Sequence, residues 1–204
     1  MRIVLLLGRC QSYIAAGVTF GGGRLRKTVL FIIFIILSSW QGSAANTVPD
    51  VWTPLQFLVG RWAGTTHGEP GSGRVERSYQ FALKGKFLQV ENKSSYPPQS
   101  SNPKGEIHED VGFISFDSAR KCFVLRQFHV EGFVNTYVSD AISDGGRVIS
   151  FTSEAIENIP AGYRARETYT ILGKDEFSER FEIAEPGKDF TLYSENRLQR
   201  VKEK

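Results

Sequence analysis

From Leu55 to the C-terminus the chain alternates short runs of β-branched and aromatic residues with turn signals, and no long helical period interrupts them. The runs are "LQFLVGRWAG", "RVERSYQFAL", "KGKFLQVENKSSY", "EIHEDVGFISFD", "KCFVLRQFHV", "GFVNTYVSDAI", "RVISFTSEA", "YRARETYTIL", "DEFSERFEIA" and "DFTLYSENRLQRV". Between them stand breakers such as "HGEPGSG", "PPQSSNPKG", "SDGG", "LGKD" and "EPGK". This cadence predicts ten strands, and the short links make each antiparallel to the one before. Ten strands in about 145 residues must close or split, because an open sheet would expose long unpaired edges. The expected fold is therefore all-β: a ten-stranded antiparallel up-and-down β-barrel with no substantial helix in the domain. A barrel wider than eight strands keeps an internal cavity.

Alternation along the strands assigns the inner face. In "RVERSYQFAL" the apolar set is Val75, Tyr79 and Phe81, with Arg77 in phase. In "DEFSERFEIA" it is Phe177, Phe181 and Ile183, with Glu179 in phase. Charged groups are thus expected inside the barrel. Trp62 follows Gly60 by two residues on the first strand. One end of a cavity barrel needs a plug, and an indole can cover it while its N–H finds a carbonyl. Gly60 lets the backbone pass close beneath that ring. Arg197, in "SENRLQR", is the expected cation against it. The alternative is a Trp buried as ordinary core.

The formal charge of +3 belongs to the N-terminal region. Residues 1–45 hold five basic residues and no acidic ones, so 20 basic and 22 acidic residues remain, about −2. No basic stripe supports nucleic-acid binding. Residues 1–45 read as an export leader: Arg24, Arg26 and Lys27, then the apolar "VLFIIFIIL" from Val29 to Leu37, then "GSAAN" with cleavage expected after Ala44 or Ala45. Nine apolar residues are too few for a bilayer span, which takes about 20. An uncleaved anchor is the alternative. The segment before Arg24 is long for a leader and suggests a start further downstream. Residues 46–53 then read as a linker and 54–201 as the barrel, in an extracytoplasmic mature protein. Without the leader Cys122 stands alone, which excludes an intramolecular disulfide.

Three motifs in order resemble the nitrobindin-like heme-binding β-barrels. "PLQFLVGRWAG", Pro54 to Gly64, resembles the family's opening Gly-x-Trp-x-Gly strand. "HEDVGF", His108 to Phe113, resembles its His-x-Glu-x-Gly-aromatic strand, with Asp110 where the family has Glu. "LRQFHVEGFV", Leu125 to Val134, resembles the next strand and turn, with Gln127 at a pocket-lining position. The resemblance implies a ten-stranded barrel that binds heme b, and for some members conversion of peroxynitrite to nitrate at ferric heme. It also implies an axial His near the C-terminus in a Pro-His-Leu context. Here that region reads "EPGKDFTLYSENRLQRVKEK" and contains no His.

The chain has three histidines. His67 falls in a Gly/Pro-rich hairpin and reads as solvated. His108 matches the family's pocket His, and if Gln127 faces inward, so does His129 two residues on. Three functions are compatible with this pattern. The first is a binding module for a small apolar or planar ligand, anchored by His108, Gln127 and His129. The second is a heme protein with the family's nitrogen-oxide chemistry and a relocated ligand. The third is a cofactor-free enzyme pairing a His with a carboxylate such as Asp110, although no nucleophile motif or phosphate loop accompanies it.

Overall fold

A computed structural model describes residues 50–100, 102–140 and 142–202. The leader, its cleavage site and Cys10 lie outside the described residues. Ten strands form one closed barrel in which each pairs antiparallel with its successor and the first pairs with the last. They are β1 (Gly60–Gly68), β2 (Gly71–Ala82), β3 (Phe87–Tyr96), β4 (Glu106–Asp117), β5 (Cys122–His129), β6 (Val134–Ser139), β7 (Val148–Glu157), β8 (Arg164–Gly173), β9 (Glu176–Ala184) and β10 (Thr191–Arg200). Closure brings β1 and β10 so near that a Cβ at Gly64 would stand 1.9 Å from the Arg197 carbonyl oxygen. Any larger residue there would push the seam apart.

The N-terminal boundary differs from the sequence reading. Residues 55–58, expected in the first strand, and residues 50–53, expected in a linker, form one 3-10 helix, Asp50–Leu58. A 3-10 helix turns every three residues, so Trp52, Leu55 and Leu58 share a face, and all three are buried. That face fills one end of the barrel, where Trp52 packs at 5.6 Å from Phe81 and 5.5 Å from Phe123 between ring centroids. The apolar run and Pro54 read as a strand start because nine residues with three apolar positions on one face are too few to establish a helical period.

Trp62 completes this plug. It is 1% exposed, meets Phe177 edge-on at 4.8 Å and donates its Nε1–H to the Leu58 carbonyl at 2.7 Å. The cation above it is Arg200, not Arg197. The Arg200 guanidinium lies 4.1 Å from the Trp62 ring and donates to the carbonyls of Val59 at 2.6 Å and Phe57 at 2.7 Å. Arg200 therefore closes the end of the 3-10 helix as well as the ring. Parity explains the exchange: Ser194, Asn196 and Leu198 are buried, and Arg200 continues their face. Arg197 points outward and pairs with Glu176 at 2.7 Å. Gly60 holds φ at +122°, and a Cβ there would sit 2.9 Å from Arg200 Nη1, so glycine serves both the turn and the guanidinium.

In urea titrations Trp62→Ala is expected to lose about 3–5 kcal/mol and Arg200→Ala about 2 kcal/mol. Arg197→Ala should change stability by less than about 1 kcal/mol, as exposed ion pairs do. Equal losses at the two arginines would contradict this plug.

Candidate functional site

Three tiers follow one another along the interior. The plug end is apolar. Above it eight of the ten strands, all but β1 and β7, contribute a polar residue: Arg77, Asn92, Asp110, Gln127, Asn135, Glu167, Glu179 and Asn196, all buried. Above these the barrel opens into a cavity of about 390 Å³. Its mouth is walled by Tyr96, His108, His129, Phe133, Ile156, Phe181 and Tyr193.

The polar tier is a connected network. Arg77 and Glu179 form an ion pair at 2.6 Å, with side chains 5% and 3% exposed. Arg77 also donates to Asn92 Oδ1 from Nε and Nη2, each at 3.2 Å. Asn92 passes its Nδ2–H to Asp110 Oδ2 at 2.8 Å, and Gln127 donates to Asp110 Oδ1 at 3.4 Å. On the other side Asn196 donates to Glu179 at 3.0 Å. Tyr169 donates to Glu167 at 2.5 Å. Burial works against the charge on Arg77, but Glu179 and the surrounding acidic groups overcome it and raise its pKa well above the usual value. Burial raises Glu167, reinforced by Glu179, so its carboxyl keeps a proton to higher pH than a free one. Arg77 is thus not left to balance an additional full carboxylate charge beside it.

At the mouth His108 and His129 face each other, with His129 Nδ1 3.4 Å from His108 Nε2. Pairing sets this up: Asp110 is the register partner of His129 across β4 and β5, and His108 precedes Asp110 by two residues on the same face. His108 Nε2 lies 3.5 Å from Asp110 Oδ2 and its Nδ1 lies 2.8 Å from Glu131 Oε1. Burial alone would lower His108, but hydrogen bonds to Asp110 and Glu131 prevail and lift it to about 9. His129 has no such carboxylate partner, and burial pushes it down to about 4. Its ring stacks on Phe133 at 4.0 Å, and its Nε2 is 3.2 Å from Asn135 Nδ2. Burial also opposes charge on Asp110, but the His108 hydrogen bond and the Arg77 charge hold its pKa below the usual value. The mouth therefore holds one protonated and one neutral imidazole at neutral pH.

Of the sequence-derived candidates, His108, Gln127 and His129 all line this cavity. His67 is exposed in the β1–β2 hairpin, where Nδ1 meets Ser72 Oγ at 3.0 Å. Arg77 and Glu179 carry the inward phase read from their strands. Glu167, Asn135 and Glu131 were missed. Glu167 had a usable signal, since Ala165, Glu167 and Tyr169 alternate in one phase. Glu131 had none, because it lies in the β5–β6 turn and comes near His108 only through the pairing of β4 with β5.

A closed barrel, plugged at one end and opening onto a polar-floored cavity at the other, has the architecture of a ligand-binding barrel. The family model for the THAP4-like, heme-binding beta-barrel domain matches residues 51–200, and the chain belongs to that family. Among curated proteins none matches the chain. Among solved structures, Rv2717c from M. tuberculosis is similar with a TM-score of 0.58 and 20% identity, covering 76% of this chain and 99% of that one. At that identity the likeness is one of fold. A redesigned beta barrel and a de novo designed fluorescence-activating barrel each reach a TM-score of only 0.38, at 12% and 14% identity. They cover 72% of this chain and 93% and 95% of their own.

Two outcomes are expected from the polar tier. Arg77→Met leaves Glu179 buried without its cation and should cost about 3–5 kcal/mol, while Arg77→Met/Glu179→Leu should recover much of this in urea titration. Glu167 binds its proton more tightly folded than unfolded, so its contribution to stability is full below the ordinary Glu pKa. It is lost as pH rises through the folded value. The urea midpoint should therefore fall from pH 5 to pH 9, and Glu167→Gln should flatten that fall.

Proposed function

We propose that this chain is an exported binding module for a small ligand with an apolar or planar body and a polar end. The observation that carries this reading is the cavity of about 390 Å³, within the size range of small-molecule sites. Phe133, Ile156 and Phe181 offer apolar walls to the body of such a ligand. His108, Gln127 and His129 offer polar anchors. Export rests on the leader at residues 1–45 and their basic, then apolar, then small-residue order.

Family membership raises heme as a ligand, and the donor set decides how well it fits. An axial ligand must aim a free imidazole lone pair into the cavity. His108 is the protonated imidazole and is held between Glu131 and Asp110. His129 is neutral, but Nδ1 faces His108 and Nε2 faces Asn135. Its ring is also clamped by Phe133. No His follows His129 in the sequence. As arranged, these residues do not fit iron-coordinated heme, and we favour binding over the peroxynitrite isomerisation of some family members.

Hemin titrated into the full chain is expected to give no sharp, coordinated Soret band. Native mass spectrometry of gently purified protein should instead find a noncovalent small-molecule adduct, lost when Ile156→Trp fills the mouth. A sharp Soret band abolished by His129→Ala would replace this reading with that of a heme protein.

A further inference from the structure

We propose that His108, His129 and Glu131 form a binding site for a divalent transition-metal ion at the barrel mouth, with an open coordination position toward the cavity. Each side chain offers one donor atom, and the three atoms lie within 4.8 Å of one another. Ligands around a tetrahedral zinc ion at its usual bond lengths stand roughly 3.3 Å apart. The most widely separated donors therefore need to close by no more than about 1.5 Å. Glu131 Oε1 already stands 2.8 Å from His108 Nδ1, so the movement left to make is the approach of this pair and His129, and Glu131, in the β5–β6 turn with its side chain 42% exposed, can follow His108. Two imidazoles and one carboxylate suit zinc, cobalt or ferrous iron rather than magnesium or calcium.

The surroundings match those of a metal centre. With the ion on His108 Nδ1, the Nε2–H points to Asp110 Oδ2, 3.5 Å away. Such a carboxylate behind a ligating imidazole fixes its tautomer and increases its basicity. Asp110 is itself held by Asn92 and Gln127. Behind His129 stands Asn135, 3.2 Å from Nε2 and 1% exposed. Asn135 Oδ1 has no hydrogen-bond partner among the described residues. Turning that amide over gives a His129 Nε2–H an oxygen to donate to, and leaves Nδ1 for the ion. Phe133 keeps the ring in place.

The requirement differs from that of heme. A bare ion sits among the three donors and takes the place of the proton that joins His108 to Glu131, releasing it to solvent. Heme iron would have to draw one imidazole away from the other two groups. Three protein ligands are the pattern of metal sites that keep an exchangeable position. All three residues line the cavity, so that position is open to water or to a Lewis-basic oxygen of a cavity ligand. The site rests on its own geometry and does not depend on which ligand the cavity holds.

The test is a cobalt(II) titration of the untagged full chain after treatment with a chelator. The expected result is a visible d–d spectrum of a low-coordinate site, saturating at one equivalent and erased by zinc(II). Glu131→Gln, a surface change whose fold is checked by far-UV circular dichroism, should weaken binding at least ~10-fold. His129→Ala should abolish it. Absence of the band in the unaltered chain overturns the proposal. So does a band that both variants retain, or one with the intense near-ultraviolet thiolate transition that would assign the ion to cysteine.

Discussion

Ten strands enclose more space than their own side chains can fill. Everything else in this molecule answers that constraint. At one end the 3-10 helix Asp50–Leu58 inserts Trp52, Leu55 and Leu58, and Trp62 and Phe177 close the remaining space. The helix ends in carbonyls that would otherwise lose their solvent, and the Arg200 guanidinium satisfies two of them while lying over the Trp62 ring. The plug is one unit built from the first and last segments of the domain, so it also ties the seam between β1 and β10.

The middle of the barrel could have been filled with larger apolar groups. It is filled with Arg77, Glu179 and their hydrogen-bonded neighbours instead. A buried charge is tolerated only when paired and satisfied, and here the pairing extends around the ring from Asn196 through Arg77 to Gln127. Such a tier contributes little net stability against an apolar alternative. Its effect is to give the cavity a rigid, polar floor. The same network sets the protonation of the mouth, because Asp110 is both the end of the chain from Arg77 and the partner of His108.

Strand number, order and antiparallel sense were legible in the sequence, because turn residues and a two-residue period are local properties of the chain. So was the inward phase of Arg77 and Glu179. His108, Gln127 and His129 were legible as cavity residues from the family resemblance and from alternation. The helical plug was misread, since three apolar positions at a spacing of three look like a strand entrance when only nine residues carry them.

What the sequence determined by itself was the periodicity: which residues alternate, where the chain turns, and hence a closed antiparallel barrel with some polar groups inside. What only the tertiary structure decided was register and closure. Arg197 and Arg200 are three residues apart, and only the pairing of β10 with β1 shows that Arg200 is the one over Trp62. His108, His129 and Glu131 are spread over 24 residues and three elements of the chain, and no local period links them. They meet because β4 and β5 pair in one register and the turn after β5 folds back over the mouth. Contacts between distant segments are set by how the closed sheet satisfies all its hydrogen bonds at once, and that condition is not written in any single stretch of sequence.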